Sequence, residues 1–409
     1  MQDTELYRQI LGLVEPWSVT SVTLDAAAQE IVVRVEHPPR TQFPCPKCGT
    51  QLACRDHERE RRWRHLDSCQ FKTILVGWVP RVECPEHGVQ AVEVPWAQKS
   101  SRFTILFERF AIDVLLATQT VQGAISLLRI GWGQAWRILE RAVARGQLRK
   151  REQPCPYLGS DEKSFAKGQS YVTLLYDLNR STVEALADGN DAASAEACFA
   201  VLSADQRQAV KAIAMDMSAA FVKATRETFP LADTKIVHDR FHVMQLASKA
   251  VDAVRRQEHR RLKREGDDSL KGTKYVWLRS QERLSADQQQ VLESRFAAGL
   301  ETARAWGYKE LLRELWDQPD EAGARRWFTS WYRRVARTKL TPLKRVAKTI
   351  KERLEHVVSF CTHRITNAVA EGINSKIQSI KRRVCGFRNR ENHKTAIHFY
   401  CGGLDLHPR

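Results

Sequence analysis

Three acids in this sequence could do chemistry together. Asp216 follows the apolar run Ala212-Ile213-Ala214-Met215 and precedes a helix start. An acid at the tip of a buried strand is costly to ionise unless something pairs with it, and a metal ion is such a partner. Asp161 lies in the strand-like stretch PYLGSDEKSF. Glu371 leads the polar face of a helical segment between Ile365 and Asn389. In that segment Ile373, Ile377, Ile380 and Val384 recur at three- and four-residue steps, while Asn374, Ser375, Gln378 and Arg382 share the face of Glu371. Two Asp and one Glu make an all-oxygen set hard enough for magnesium or manganese. A pair of such ions activates a water or hydroxyl and stabilises the leaving oxygen of a phosphodiester. Taken singly, each Asp also reads as a strand-end cap, and the Glu as an ordinary solvated acid.

A second set of residues has metal-ligand spacing. Cys45 and Cys48 form a C-x-x-C knuckle in FPCPKCGT, and Cys84 and His87 form a C-x-x-H knuckle in VECPEHGV. Paired tight turns of soft ligands pre-organise tetrahedral zinc. The intervening FKTILVGWVPRVEC is rich in β-branched residues and reads as strand, so the whole resembles a zinc ribbon. Cys54, Cys69, His57 and His65 lie nearby and can replace a ligand; the bland alternative is a scatter of small core residues. Four protein ligands leave no open position, so this zinc is expected to be structural.

The elements that must position the acids follow from the pattern after a charged, proline-containing break at 149–156. Three strands, a helix, a strand, a helix, a strand and a helix follow in order. That order suits a mixed sheet with helices on both faces, as in the ribonuclease-H-like fold, where the first and fourth strands bring Asp161 and Asp216 side by side. The expected class is therefore a mixed α/β (α+β) multidomain chain. Its units are a zinc-binding module at 1–98, a helix-turn-helix at 99–150, a catalytic core at 151–245 and 361–400, and a helical insertion at 246–360. In the helix-turn-helix, the last helix would present Gln134, Arg137 and Arg141; a plain helical hairpin is the alternative. His238, Asp239 and His242 in VHDRFHV read as a second metal site or, more commonly, as supports of the first, with Arg240 free for phosphate.

The chain has 409 residues and a formal charge of +17, which points to a polyanionic partner and most simply to nucleic acid. From Arg325 to Arg353 there are eleven Lys and Arg against one acid, Glu352, with Trp327 and Trp331 interleaved and Trp316 just before. Such a stretch can follow a phosphate backbone and stack on bases, or be a solvated face over a small tryptophan core. Lys339, Lys344, Arg345 and Lys348 are the candidate phosphate contacts there, and Lys381, Arg382, Arg383 and Arg388 those beside Glu371. No apolar run is long enough to span a bilayer. The opening segment is acidic where a secretory leader is basic, so a cytoplasmic, nucleoid-associated protein is expected. Ten cysteines in a reducing compartment favour metal ligation over disulfides.

The blocks CPKC, RVECPEHGV, SDEKSF, AMDMSAAF, VHDRFHV and TNAVAEGINSKIQSIKRRVCGFRN resemble, in this order, the insertion-sequence transposases of the ISL3 family. The resemblance spans nearly the whole chain. It implies a DDE triad on a ribonuclease-H-like core, with Asp161, Asp216 and Glu371 in the three positions, and it makes the helical stretch an insertion between the second Asp and the Glu. Many members have Cys where His87 stands, which still offers a ligand. The implied activity is metal-dependent cleavage at the element's terminal inverted repeats followed by strand transfer into target DNA. Joining two ends calls for a homodimer on double-stranded DNA. A zinc and helix-turn-helix regulator without catalysis, and a nuclease or resolvase on the same core, are the rival readings.

Overall fold

The N-terminal hundred residues hold more strand than two knuckles alone require. The computed structural model describes residues 2–166 and 170–409. After helix α1 (Asp3–Ile10) come β1 (Ser18–Asp25), β2 (Glu30–Glu36), β3 (Gln42–Pro44), β4 (Gln51–His57), β5 (Arg61–Arg64), β6 (Lys72–Gly77), β7 (Pro80–Cys84) and β8 (Gly88–Ala91). They form two four-stranded sheets, ordered β1-β2-β6-β5 and β3-β4-β7-β8. Val33, Val35, Trp63, Leu75, Val82 and Trp96 are buried in the core the two sheets share. The run expected as one strand between the knuckles is two, because β6 and β7 belong to different sheets.

Helices α2 (Ile105–Thr118), α3 (Val121–Leu128) and α4 (Trp132–Arg149) follow. The Thr104 and Thr120 hydroxyls cap the first two by accepting the Phe107 and Gly123 N–H groups. This trio does not stand apart from the core. Leu115, Ile138, Leu139 and Val143 share one hydrophobic cluster with Leu174 and Tyr176 of the central sheet and with Ile373 and Ile377. The C-terminal tail laces across α4, where Arg145 donates to the Leu406 carbonyl and Arg149 to that of His407.

The central sheet contains β9 (Tyr157–Ala166), β10 (Ser170–Asp177), β11 (Thr182–Asp188), β12 (Ala212–Met215) and β13 (Ile236–His238), in the order β11-β10-β9-β12-β13. The first three strands are antiparallel, and β12 runs parallel to both of its neighbours. Side chains alternate between faces as the two-residue period demands. Leu158, Leu175, Ile213 and Met215 pack with Phe199 of α5 (Ala192–Ala200) and Phe221 of α7 (Ala219–Thr228), which follows α6 (Ala204–Ala209). Leu174, Tyr176 and Ala214 face the opposite cluster. The sheet is thus covered on both sides, giving the expected ribonuclease-H-like core. The single helix expected from SAEACF to DQRQAV is two. Ser203 accepts the Gln206 N–H at 3.3 Å and Gln206 answers its N–H at 3.0 Å, a capping box that starts α6.

After α8 (Ala232–Lys235) and β13, α9 (Arg240–Arg264) carries the chain into the insertion without a break at residue 245. The insertion continues as α10 (Lys274–Leu278), α11 (Ala286–Ala297), α12 (Glu301–Leu312), α13 (Glu321–Ala336), α14 (Thr341–Glu352), α15 (Leu354–Val358) and α16 (Phe360–His363), with no strand among its described residues. Val243 and Met244 of α9 already pack in its core beside Trp277, Trp306, Trp316 and Trp331. This corrects one expectation. Trp316 and Trp331 are 2% and 1% exposed and Trp327 is packed against them, so these tryptophans hold helices together and are not free to stack on bases. Helices α17 (Ala368–Arg383) and α18 (Arg390–Cys401) return to the sheet. Among the described residues, no helix is long and apolar enough to cross a membrane.

Candidate active site

Strand register brings the first two acids together. Met215, the last residue of β12, pairs with Ser160 of β9, so Asp216 and Asp161 are the next residues along two parallel neighbours. Beyond that point β12 ends while β9 continues against β10, which opens the sheet edge at the two carboxylates. Asp216 Oδ1 accepts the Ser218 N–H at 2.8 Å as the chain turns into α7.

The third acid is placed by a hydrogen-bond chain. Tyr176 Oη, fully buried on β10, donates to Asn374 Oδ1 at 2.8 Å. Asn374 Nδ2 donates to Asp161 Oδ2 at 2.6 Å. Asn374 lies three residues after Glu371, on the same side of α17, so this chain docks Glu371 over the Asp161 strand. The start of α17 is fitted just as closely. A Cβ on Gly159 would come within 2.9 Å of Asn367 Oδ1, so the absence of a side chain on β9 is what admits Asn367.

Burial raises the pKa of Asp161, and the nearby charge of Asp216 adds to the rise. Burial also raises that of Glu371, with the charges of Asp239 and Asp161 pushing the same way. Asp239 is 4% exposed and likewise raised by burial. It caps α9 by accepting the Phe241 N–H at 3.2 Å, and its Oδ2 has no partner among the described residues. The Lys163 ammonium offsets both Asp161 and Glu371, and His242 lies near both. The site is therefore a crowd of carboxylates with too little positive charge, and its acids offer oxygen donors. That donor set fits a hard divalent cation. Among the described residues, Asp161, Asp216 and Glu371 do not bring one ligand atom each within 4.8 Å of one another.

The other expected residues divide. Asp239 and His242 belong to the carboxylate site, whereas His238 does not. Its ring is fully buried, edge-on to His356 of α15 at 5.2 Å, and burial lowers its pKa to about 3. Among the described residues, His238, Asp239 and His242 do not bring one ligand atom each within 4.8 Å of one another. The Arg240 guanidinium lies 5.4 Å over the Trp316 ring and faces the insertion. On α4, Gln134 accepts the Gly131 N–H at 2.8 Å as a cap, and Arg141 is tied to buried Glu108 at 2.6 Å; of the three expected DNA contacts, Arg137 is exposed. Lys339, Lys344, Arg345 and Lys348 are all exposed. Arg382 and Arg388 are exposed too, whereas Lys381 donates to the Ser164 carbonyl at 3.1 Å and Arg383 to that of Thr118 at 3.4 Å. Asn374 was hidden from sequence reasoning because a polar residue on the polar side of an amphipathic helix reads as solvated.

The soft ligands do converge. One ligand atom each from Cys45, Cys48, Cys84 and His87 lie within 4.8 Å of one another. Cys48 Sγ is 3.6 Å from Cys84 Sγ, which is 3.4 Å from His87 Nδ1. Gly49, at φ +76°, closes the first knuckle by donating to the Cys45 carbonyl at 2.8 Å. The set is a closed Cys3His arrangement suited to structural zinc. His65 is not part of it: it is buried against the Thr104 hydroxyl at 2.9 Å.

Comparison with known proteins agrees with this geometry. A family model for the ISL3 transposase domain, of DDE type, matches residues 158–397. The chain belongs to the ISL3 family of transposases. A zinc-finger model of the IS204/IS1001/IS1096/IS1165 transposases matches residues 41–87 of this transposase, and a helix-turn-helix model of the ISL3 family matches 92–143. The transposase of insertion sequence IS1001 from Bordetella parapertussis is 28% identical over 354 residues, covering 85% of this chain and 86% of that one. The transposase of IS1557 from Mycobacterium tuberculosis is 25% identical over 421 residues, covering 95% and 93%. The protein is a DNA transposase, an enzyme that cuts and transfers DNA, and a binding-only regulator is not favoured.

Proposed function

We propose that Asp161, Asp216 and Glu371 are the catalytic carboxylates of this transposase and hold magnesium or manganese at the ends of its insertion sequence. The observation that carries this reading is the Asn374–Asp161 hydrogen bond at 2.6 Å, which pins the Glu371 helix to the Asp161 strand across 213 positions of sequence. Bound there, the metal supplies Lewis acidity at the phosphodiester and a nucleophile of lowered pKa. Asp161 on β9 and Asp216, the residue that follows β12, hold their side of the site because the two strands pair up to that point. Glu371 completes it from α17, and Asp239 adds negative charge at the start of α9. The Lys163 ammonium offsets part of this negative charge before DNA arrives.

The DNA path follows from exposed cations, of which Lys348 also pairs with Glu352 at 4.0 Å. Arg382 and Arg388 continue from Glu371 along the strand being cut, with Lys381 and Arg383 at the base of that ridge. Lys339, Lys344, Arg345 and Lys348 contact phosphates from the insertion. Arg137, with the zinc module beside it, reads the terminal inverted repeats. Two chains act together, since two ends must be joined in one complex. The units are the zinc module to residue 98, the helix-turn-helix to 150, and the core split by the insertion.

The test is strand cleavage and transfer with a labelled element end, plasmid target and magnesium. Asp216→Asn and Glu371→Gln should each reduce joined product by on the order of 10^3-fold, since a metal-stabilised transition state is worth several kcal/mol. End binding should be unchanged. Either variant retaining wild-type joining would remove that carboxylate from the site.

A further inference from the structure

We propose that His37, Cys54 and His57 form a second zinc site, distinct from the Cys45 cluster, that clamps the two sheets of the N-terminal module together. One ligand atom from each of the three lies within 4.8 Å of the other two. His37 Nε2 is 2.9 Å from His57 Nε2, which is 3.8 Å from Cys54 Sγ. His37 directly follows β2 of the first sheet, whereas Cys54 and His57 belong to β4 of the second.

The His37 ring is oriented as a ligand. Its Nδ1 lies 2.9 Å from the Pro38 carbonyl, which can only accept, so Nδ1 carries the proton and Nε2 presents its lone pair. Trp17 and Phe43 hold the ring edge-on, at centroid distances of 5.5 and 4.9 Å. Without a metal, a proton on His57 Nε2 serves the His37 nitrogen, and the Cys54 sulfur lies 3.8 Å from the same nitrogen without sharing that proton. A metal ion satisfies all three at once. One thiolate and two imidazoles form a borderline-soft set that suits zinc over magnesium or calcium. Asp56 is not available as a fourth ligand, because Arg81 holds both of its oxygens at 2.6 Å. His57 is exposed, so water completes the tetrahedron. On binding, Cys54 gives up the thiol proton it now donates to the Asp56 carbonyl at 3.3 Å, and His57 moves its proton to Nδ1.

The experiment is a cobalt(II) titration of the full-length, chelator-stripped protein, read by absorbance and by native mass spectrometry. Wild type should show two thiolate-to-cobalt charge-transfer bands, an intense one from three thiolates and a weaker one from a single thiolate; cobalt held by the carboxylates of the core has no sulfur ligand and adds no such band. His57→Ala, an exposed position, should lose the weaker band and bind one ion fewer than wild type, and Cys48→Ser should keep the weaker band. Wild type without the weaker band would overturn the proposal, as would His57→Ala retaining both that band and the wild-type number of ions. A second readout stands even if a variant folds poorly. In wild type, zinc should slow alkylation of Cys54 by iodoacetamide, mapped by peptide mass spectrometry. An unchanged rate at Cys54, with Cys45 and Cys48 protected, would also overturn it.

Discussion

The soft-ligand cluster and the candidate carboxylate site of this transposase are assembled by opposite logic. In the N-terminal module, Cys45, Cys48, Cys84 and His87 already stand within ligand distance of one another. Among the described residues, the candidate acids Asp161, Asp216 and Glu371 show no such mutual approach. The chemistry of the donors accounts for the difference. Thiols and neutral imidazoles can be packed together without charge, so strands and knuckles collect them freely. Carboxylates repel at neutral pH, and each one that is buried adds a desolvation cost. A structural site can be folded closed in advance; a catalytic site must keep room for DNA and stay under-neutralised until its cation arrives.

The largest effect expected from this contrast is on the soft site. Structural zinc in small fingers contributes apparent binding free energies of about 10–16 kcal/mol. Here the module also has its own buried core around Trp63 and Leu75, so the loss should be partial. Cys84→Ser is expected to release zinc, unfold the β3-β4-β7-β8 sheet and abolish binding to the element's ends, while the core keeps its cooperative melting. Limited proteolysis and zinc content measured on the same sample would check this. If Cys84→Ser lost its zinc yet bound the ends with unchanged affinity, the closed site would have no structural role.

The hard site should be sensitive in a different way, through positioning. Asn374→Ala removes the bond to Asp161 and strands the buried Tyr176 hydroxyl. Leaving a buried donor unpaired costs about 1–3 kcal/mol. Strand cleavage should fall, and because Asn374 acts through Glu371, the magnesium concentration for half-maximal activity should rise. Loss of stability with an unchanged magnesium requirement would reduce Asn374 to a packing residue.

Much of this was legible in the sequence because each element obeyed one local rule. Ala212 to Met215 read as a buried strand and is one. The knuckles read as a metal site because tight turns fix ligand spacing within a few residues. Legibility failed where a polar or amphipathic residue was recruited from a distance. Asn374 looked solvated, yet it is 3% exposed, because its partner Asp161 lies on a strand that no helical pattern can reveal. Trp316 and Trp331 sit near arginines along the chain but point into a core made by other helices. Arg141 looked exposed, but Glu108 on a neighbouring helix claims it. The break at Ser203, by contrast, was there to be read, since Ser-Ala-Asp-Gln is a capping-box sequence.

The smallest effect is also the one that separates the two regions most cleanly, because it reverses the usual sign of a mutation. Asp161, Asp239 and Glu371 have pKa values raised by burial in the metal-free fold. The unfolded chain returns each to its ordinary value, so between the two values the folded protein binds more protons. Their contribution to stability is therefore fully present below the ordinary carboxylate range and is lost as pH rises through the raised values. His65, His238, His393 and His398, held neutral by burial, pull the other way as pH falls, so the carboxylates' share is read from the difference between wild type and a variant lacking one of them, and from the stabilisation that magnesium gives at pH 7. Asp161→Asn removes one buried charge and keeps an acceptor for Asn374, giving up the bond from the Glu162 N–H that Oδ1 accepts at 2.8 Å. It should end catalysis yet raise the metal-free melting temperature at pH 7 by about 1–4 °C, with a flatter pH profile and a smaller magnesium effect. A lower melting temperature with the magnesium effect intact would mean that the carboxylates are neutralised from within the fold, and the contrast with the zinc module would lose its physical basis.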